Sequence, residues 1–282
     1  MTDLLRSSLP LIYGHRGCRG LRPENTIPAF LHALQWPIDG LELDVVMSAD
    51  GQVVVSHEPW LNPAICSAPD GGPITPDFAR NFRFYQQSYA AIRRFDCGQR
   101  RHPAFPQQLS VPAFKPLLHE VFDAVEARCR ELKRPVPAYS IELKSTPEGD
   151  GIDHPTPELF VQAVEQVVAA SRALHQRTDT LYMSFDHRVV AAARRLTRRR
   201  VCLLVEDHHP LTEHIAQLGF IPEVLGPDYE LLTLRLLTRC AELELPVVAW
   251  TVNETALIKS VAARGVHGIT TDYPNRAVQA LR

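Results

Sequence analysis

Short apolar, β-rich runs recur along the chain. Most are separated by stretches in which apolar residues fall three and four positions apart, the spacing of a helix with one buried face. The runs predict strands at Leu11–Gly14, Gly40–Met47, Val53–Ser56, Ala138–Lys144, Thr180–Phe185, Arg200–Val205, Glu223–Gly226, Pro246–Val252 and Val266–Thr270. Between them, Thr26–Leu34, Lys115–Leu132, Pro157–Ala173, His187–Arg195, Thr212–Leu218, Leu231–Leu243 and Thr255–Ala263 read as helices. Repeated strand–helix alternation implies parallel strands, in a closed barrel or a doubly wound sheet. Val53–Ser56 follows its neighbour through Ser48-Ala49-Asp50-Gly51, a hairpin-type connection. Setting that one of the nine strands aside leaves eight, the number a (β/α)8 barrel of the TIM type requires.

Residues 59–116 break the pattern. They hold nine of the chain's 23 prolines and many aromatics, with few clear periods. The expectation is one barrel domain over 1–282, with 59–116 as an insertion that caps the catalytic end.

Composition narrows the function. Lys and Arg total 30 against 32 for Asp and Glu, a formal charge of -2, without the basic excess of a nucleic-acid binder. Arg194, Arg195, Arg198, Arg199 and Arg200 read as a solvated helix face running into a loop. No apolar run of about 18 residues predicts a membrane span. The start of the chain lacks a signal-peptide apolar core, so a cytoplasmic location is expected. Six cysteines without a C-x-x-C pair read as mostly free thiols rather than a disulfide frame.

The ionisable residues fall at the predicted strand ends. Gly14-His15-Arg16-Gly17 closes the first strand, Glu42-Leu43-Asp44 lies in the second, His57 follows the hairpin strand, and Glu142-Leu143-Lys144 closes the next. Alternation makes Glu42 and Asp44 project together, as Glu142 and Lys144 do, while Leu41, Leu43, Ile141 and Leu143 face the other way. Charges on strands this apolar are costly unless a metal or one another compensates them. Three carboxylates at a barrel mouth form an oxygen-rich site suited to one divalent cation, Mg²⁺ or Ca²⁺. Arg16 and Lys144 then face a phosphate, and His15 and His57 suit the roles of acid and base. The rival reading pairs Glu42 and Asp44 with Arg16 as ordinary ion pairs.

Several stretches together resemble the glycerophosphodiester phosphodiesterase family. They are GHRGCRGLRPENTIPAF (14–30), DGLELDVVMSADGQVVVSHEP (39–59), SIELKS (140–145), SFD (184–186), VVAWTVNE (247–254) and GITTDYP (268–274). The resemblance covers essentially the whole chain, in the family's order. It implies a TIM-type barrel, a divalent cation, and hydrolysis of a small-molecule glycerophosphodiester to an alcohol and glycerol phosphate. Carried over by position, it makes Glu42, Asp44 and Glu142 the metal carboxylates and His15 and His57 the catalytic pair. Arg16 and Lys144 fall on phosphate-binding positions, Glu24 and Asn25 match its P-E-N-T stretch, and Trp250 falls where the family lines its substrate mouth. The chain departs at Glu58, where the family commonly has Asp, and in the long 59–116 segment.

Two alternatives remain at this level: a phospholipase C- or D-like enzyme acting on lysophospholipid headgroups, and a barrel that binds phosphodiesters without turnover. Gly14, Gly17 and Gly20 do not make a dinucleotide loop, since the spacing lacks G-x-G and the acidic partner. His208-His209 resembles a metal pair, but adjacent side chains point apart. It reads as polar loop, and His102, His119, His154, His175, His187, His214 and His267 read as surface or core hydrogen-bonding residues.

Overall fold

The computed structural model describes residues 9–171, 173–174, 177 and 179–282. Its strands are β1 (Leu11–Gly14), β2 (Gly40–Met47), β3 (Val53–Val55), β4 (Ala138–Leu143), β5 (Leu181–Ser184), β6 (Arg200–Val205), β7 (Val224–Pro227), β8 (Val248–Ala249) and β9 (Gly268–Thr271). The sheet order is β7-β6-β5-β4-β2-β1-β9-β8, with every pair along it parallel and β3 antiparallel beside β2. The two ends meet through parallel bridges Leu225↔Val247 and Asp228↔Trp250. Eight parallel strands thus form a nearly closed TIM-type barrel, as the alternation predicts.

Outside the barrel run α1 (Ile27–Ala33), α2 (Pro76–Asn81), α3 (Tyr89–Ile92), α4 (Leu118–Glu131), α5 (Pro157–Ala170), α6 (His187–Leu196), α7 (Leu211–Leu218), α8 (Leu234–Glu242), α9 (Thr255–Ala263) and α10 (Pro274–Leu281). Local chemistry sets several starts. Thr26 caps α1 by accepting from the Ala29 amide, and Asp186 caps α6 by accepting from Arg188. The short helices α2 and α3, and the terminal α10, are not among the helices read from the sequence. Helix α5 stops at Ala170, short of the predicted Ala173; Arg172 and His175 lie outside the described residues. No helix among the described residues is long and apolar enough to cross a membrane.

Strand alternation divides the side chains into two sets. Leu41, Leu43, Val45, Ile141, Leu143 and Leu203 point outward into the main core under the helices. The inner wall is itself divided. Leu181, Met183, Cys202, Leu204 and Val224 make its β5–β7 side apolar, while the β2–β4 side carries Glu42, Ser140 and Glu142.

A third cluster belongs to the 59–116 segment, where Leu61, Ile65, Phe84, Ile92 and Phe95 pack on Val46 and Val54. The segment's aromatics therefore build their own small core. Of the six cysteines, Cys18, Cys129, Cys202 and Cys240 are free and buried, but Cys66 and Cys97 form a disulfide. They are 31 residues apart, and only the folding back of this segment brings them together. The arginine stretch is less solvated than expected: Arg199 is buried against Glu165, and Arg195 pairs with Glu158.

Candidate active site

The carboxyl ends of the strands surround a cavity of about 590 Å³. Of the residues singled out from sequence, His15, Arg16, Glu42, His57, Glu142, Lys144 and Trp250 line it. Asp44, Glu24 and Asn25 are not part of the lining and sit behind it, buried.

The loop after β1 folds back on itself to bring His15 and Arg16 over β2. Gly17 has φ +84, and a Cβ there would lie 2.7 Å from the Ala29 backbone, so only glycine lets the loop pass that close to α1. Arg16 and Asn25 also adopt left-handed φ, 49° and 56°. Backbone of this kind persists where the surroundings over-determine it. Here the Arg16 amide donates to Glu42 Oε2 at 2.8 Å, and the Asn25 amide donates to the Arg16 carbonyl at 3.1 Å. The Asn25 side chain then donates to Asp44 Oδ2 at 2.8 Å, and Arg16 donates to Glu24 Oε1 at 2.8 Å. Glu24 and Asn25 thus hold Arg16 and Asp44 in place.

Glu42, Asp44 and Glu142 offer oxygens that all lie within 4.8 Å of one another. Burial, then Asp44 and Glu142, push the Glu42 carboxyl well above its ordinary range. Asp44 goes the other way: against its burial, the Arg16 guanidinium and then His57 and Lys144 hold it well below. Asp44 Oδ1 is buried without a hydrogen-bond partner, and Lys144 Nζ stands 3.8 Å away. Lys144 itself lies 2.5 Å from Glu142 Oε1, and that contact outweighs the cost of burying its charge. An unpartnered buried oxygen and an all-oxygen donor set fit a hard divalent cation, and the cluster can hold one.

His15 Nδ1 lies 2.7 Å from Asp272 Oδ1. A carboxylate accepts, so Nδ1 carries the proton and Nε2 is left as the lone-pair nitrogen, 3.8 Å from Glu42 Oε2. Burial pushes the ring's pKa down to about 4, although Asp272 pulls it up. His57, half-buried, has its own Nδ1 partner in Glu58 Oε1 at 3.2 Å. Burial raises the Glu58 carboxyl, but the hydrogen bond and charge of His57 win and bring it to about 2. The Glu at position 58 therefore reaches the histidine beside it.

The sequence reading missed the support of His15. Asp272 follows β9, is fully buried, and accepts from Arg19 Nε at 2.9 Å and from Asn253 Nδ2 at 2.8 Å. The Asp272 amide donates to Asn253 Oδ1 at 2.9 Å, which orients the Asn amide. Each of these residues lies in one of the recognised stretches, but nothing in the sequence says that Asp272 meets His15, 257 positions away. His154 is buried and accepts from the Thr146 amide, and His209 and His214 share Asp207.

Comparison with known proteins places this geometry. Residues 15–276 match the model of the glycerophosphoryl diester phosphodiesterase family. A glycerophosphodiester phosphodiesterase of Bacillus altitudinis is 29% identical over 274 residues, covering 95% of this chain and 96% of the relative. A crystal structure from Silicibacter pomeroyi, of a protein with the same family designation, superposes with a TM-score of 0.83 at 30% identity, covering 96% and 92% of the two chains. An Oleispira antarctica phosphodiesterase in complex with the product sn-glycerol-3-phosphate shares the fold at a TM-score of 0.73 and 21% identity, covering 96% of each chain.

Proposed function

The chain belongs to the glycerophosphoryl diester phosphodiesterase family, and from that membership we propose that it hydrolyses glycerophosphodiesters to an alcohol and sn-glycerol 3-phosphate, using one divalent cation. The observation that carries this reading is one cavity lined by His15, His57, Arg16, Lys144, Glu42 and Glu142, with Asp44 buried behind the two glutamates and completing their carboxylate cluster. Glu42, Asp44 and Glu142 hold the cation, Mg²⁺ or Ca²⁺. When bound, it supplies Lewis-acid polarisation of the phosphoryl group and neutralises its oxygens.

The chain's own residues do the rest. Arg16 and Lys144 present positive charge where the transition state gathers negative charge. His15, kept neutral by burial with Nε2 free, takes the proton from the attacking oxygen, whether of water or of the neighbouring glycerol hydroxyl. As the new P–O bond forms and the bond to the alcohol breaks, His57 gives its proton to the leaving oxygen. Glu24 and Asn25 contribute by fixing Arg16 and Asp44, and Trp250 bounds the alcohol's side of the cavity. The phospholipase-like alternative wants an apolar rim, but the aromatics of 59–116 pack on each other, and Pro59 and Trp60 are that segment's only cavity-lining residues.

The test is turnover of glycerophosphocholine and of a p-nitrophenyl phosphodiester. Chelation should abolish both, and Mg²⁺ or Ca²⁺ should restore them. His15→Ala should lose about 10²–10⁴ in rate on both substrates, and His57→Ala a similar factor on the choline ester alone, because p-nitrophenolate leaves without a proton. Full activity after exhaustive chelation would exclude the cation, and equal losses on both substrates for His57→Ala would remove it as the acid.

A further inference from the structure

The two histidines of the cavity are held in the same way, up to one partner. His15 meets Asp272, which also accepts from Arg19 and from the Asn253 side chain. His57 meets Glu58 Oε1, and the Asn62 side chain donates to that oxygen at 3.2 Å. Histidine, carboxylate and asparagine recur on both sides, but no cation pairs directly with Glu58. Glu58 Oε2 is buried and has no hydrogen-bond partner among the described residues. The same holds for Nζ of Lys115, a side chain only 1% exposed that makes no ion pair among the described residues. Burying an ammonium without a partner is costly, so this lysine calls for one.

The fold brings the two groups together. Leu117 bridges Val54 antiparallel, and the Val55 amide donates to the Pro116 carbonyl at 2.8 Å. Continued one step, that register sets Lys115 opposite Ser56, whose Oγ donates to the Glu58 carbonyl at 2.9 Å. On its other side the Tyr89 hydroxyl donates to the Lys115 carbonyl at 3.2 Å. The lysine's charge reaches two carboxyls. Against burial, the hydrogen bond and charge of His57 and then Lys115 hold Glu58 down, while Arg16 and then Lys115 hold Glu24 down. A buried carboxylate oxygen and a buried ammonium, both unpartnered and this near, are satisfied by one another or by a shared water.

We propose that Lys115 is a positioning residue for the reaction: its ammonium, directly or through one bound water, holds Glu58 Oε2, so that Oε1 stays on the His57 Nδ1 proton and Nε2 faces the leaving oxygen. Lys115 does for His57 what Arg19 does for His15. This rests on the reading above in which His57 is the acid, and adds the residue that aims it.

The experiment measures kcat and KM at saturating Mg²⁺ on glycerophosphocholine and on the p-nitrophenyl phosphodiester. The variants are Lys115→Met, Glu58→Gln and the two combined. Lys115→Met should lower kcat on the choline ester by about 10- to 100-fold, the range typical of outer partners that orient a histidine. KM should hardly move, because Lys115 is not part of the cavity lining. The p-nitrophenyl ester should lose less than about twofold, since its leaving group needs no proton. Because Lys115 acts through Glu58, the double variant should be no slower than Glu58→Gln alone. An apolar chain of similar volume usually replaces a buried charge without loss of the fold, and Lys115→Leu gives the same test should Lys115→Met not fold. Equal losses on both esters, or an added loss in the double variant, overturn this assignment and leave the phosphodiesterase reading standing. If His57→Ala itself loses equally on both esters, the acid role falls and this inference falls with it.

Discussion

Asp272 collects three donors on two oxygens: the His15 ring, Arg19 and Asn253. An Asn at this position turns one acceptor into an NH₂ that must face a donor on whichever side it lies. Asp272→Asn should therefore free the His15 ring to rotate or change tautomer. kcat should fall by about 10²–10⁴, the cost of a misoriented base, with KM changed far less because Asp272 is not part of the cavity lining. A purely structural defect would instead lower the fraction of active enzyme, which active-site titration reads. The same carboxylate shapes acid stability. Burial raises its pKa, but His15 and Arg19 outweigh that and hold it well below the ordinary value. A carboxyl depressed in the fold lends stability that is fully present above its unfolded pKa near 4 and is lost as pH falls toward the folded one. Urea midpoints measured from pH 6 down to pH 3 should fall for the native chain and fall less steeply for Asp272→Asn.

At the scale of elements, the 59–116 segment meets the site in two places. Its start supplies Pro59 and Trp60 to the cavity. Its returning limb braces the loop after β1: Phe105 lies 4.7 Å from the Arg19 guanidinium, Gln108 donates to the Arg19 carbonyl at 2.7 Å, and the Leu109 amide donates to the Leu21 carbonyl at 3.0 Å. Arg19 holds Asp272, which holds His15, so this limb reaches the chemistry without touching the cavity. Phe105→Ala should lower kcat on every glycerophosphodiester by a similar factor. Trp60→Ala should change the ratios among alcohols. A selectivity change in Phe105→Ala, or a uniform loss in Trp60→Ala, would reverse these roles.

For the whole molecule, the cation and the fold are linked. Three carboxylates within 4.8 Å repel one another, and they sit on β2 and β4, two central strands of the barrel. A cation that binds the folded chain alone adds about 2.7 kcal/mol at a hundredfold excess over its Kd. In a domain of this size that corresponds to a rise in Tm on the order of 5 °C. Calorimetry with and without Ca²⁺ or Mg²⁺ should show that rise. The double variant Glu42→Gln/Glu142→Gln should lose it, and should melt higher than the native chain when both are cation-free, because the repulsion is gone. A cation-dependent rise that persists in the double variant would place the ion elsewhere.

The hydrophobic pattern by itself determined the elements and their parallel alternation, and left a closed barrel and a doubly wound sheet both open. Alternation in β2 and β4 put Leu41, Leu43 and Ile141 outward and Glu42 and Glu142 inward, because side chains in a strand alternate whatever the strand packs against. The recurring strand–helix unit implied parallel strands for the same local reason, and polar residues at strand ends marked the mouth. Helix limits were legible where a cap such as Thr26 or Asp186 sets them, and illegible in α2 and α3, whose packing against β2 and β3 overrides a weak period. What lies between distant positions was out of reach. The Asp272–His15 contact, the Cys66–Cys97 bridge and the meeting of Phe185 with Trp250 each join segments far apart in the chain. Only closure of the barrel and the folding back of the 59–116 segment bring them within reach. A sequence carries period and composition, whereas distances between remote side chains exist only once the tertiary packing has formed.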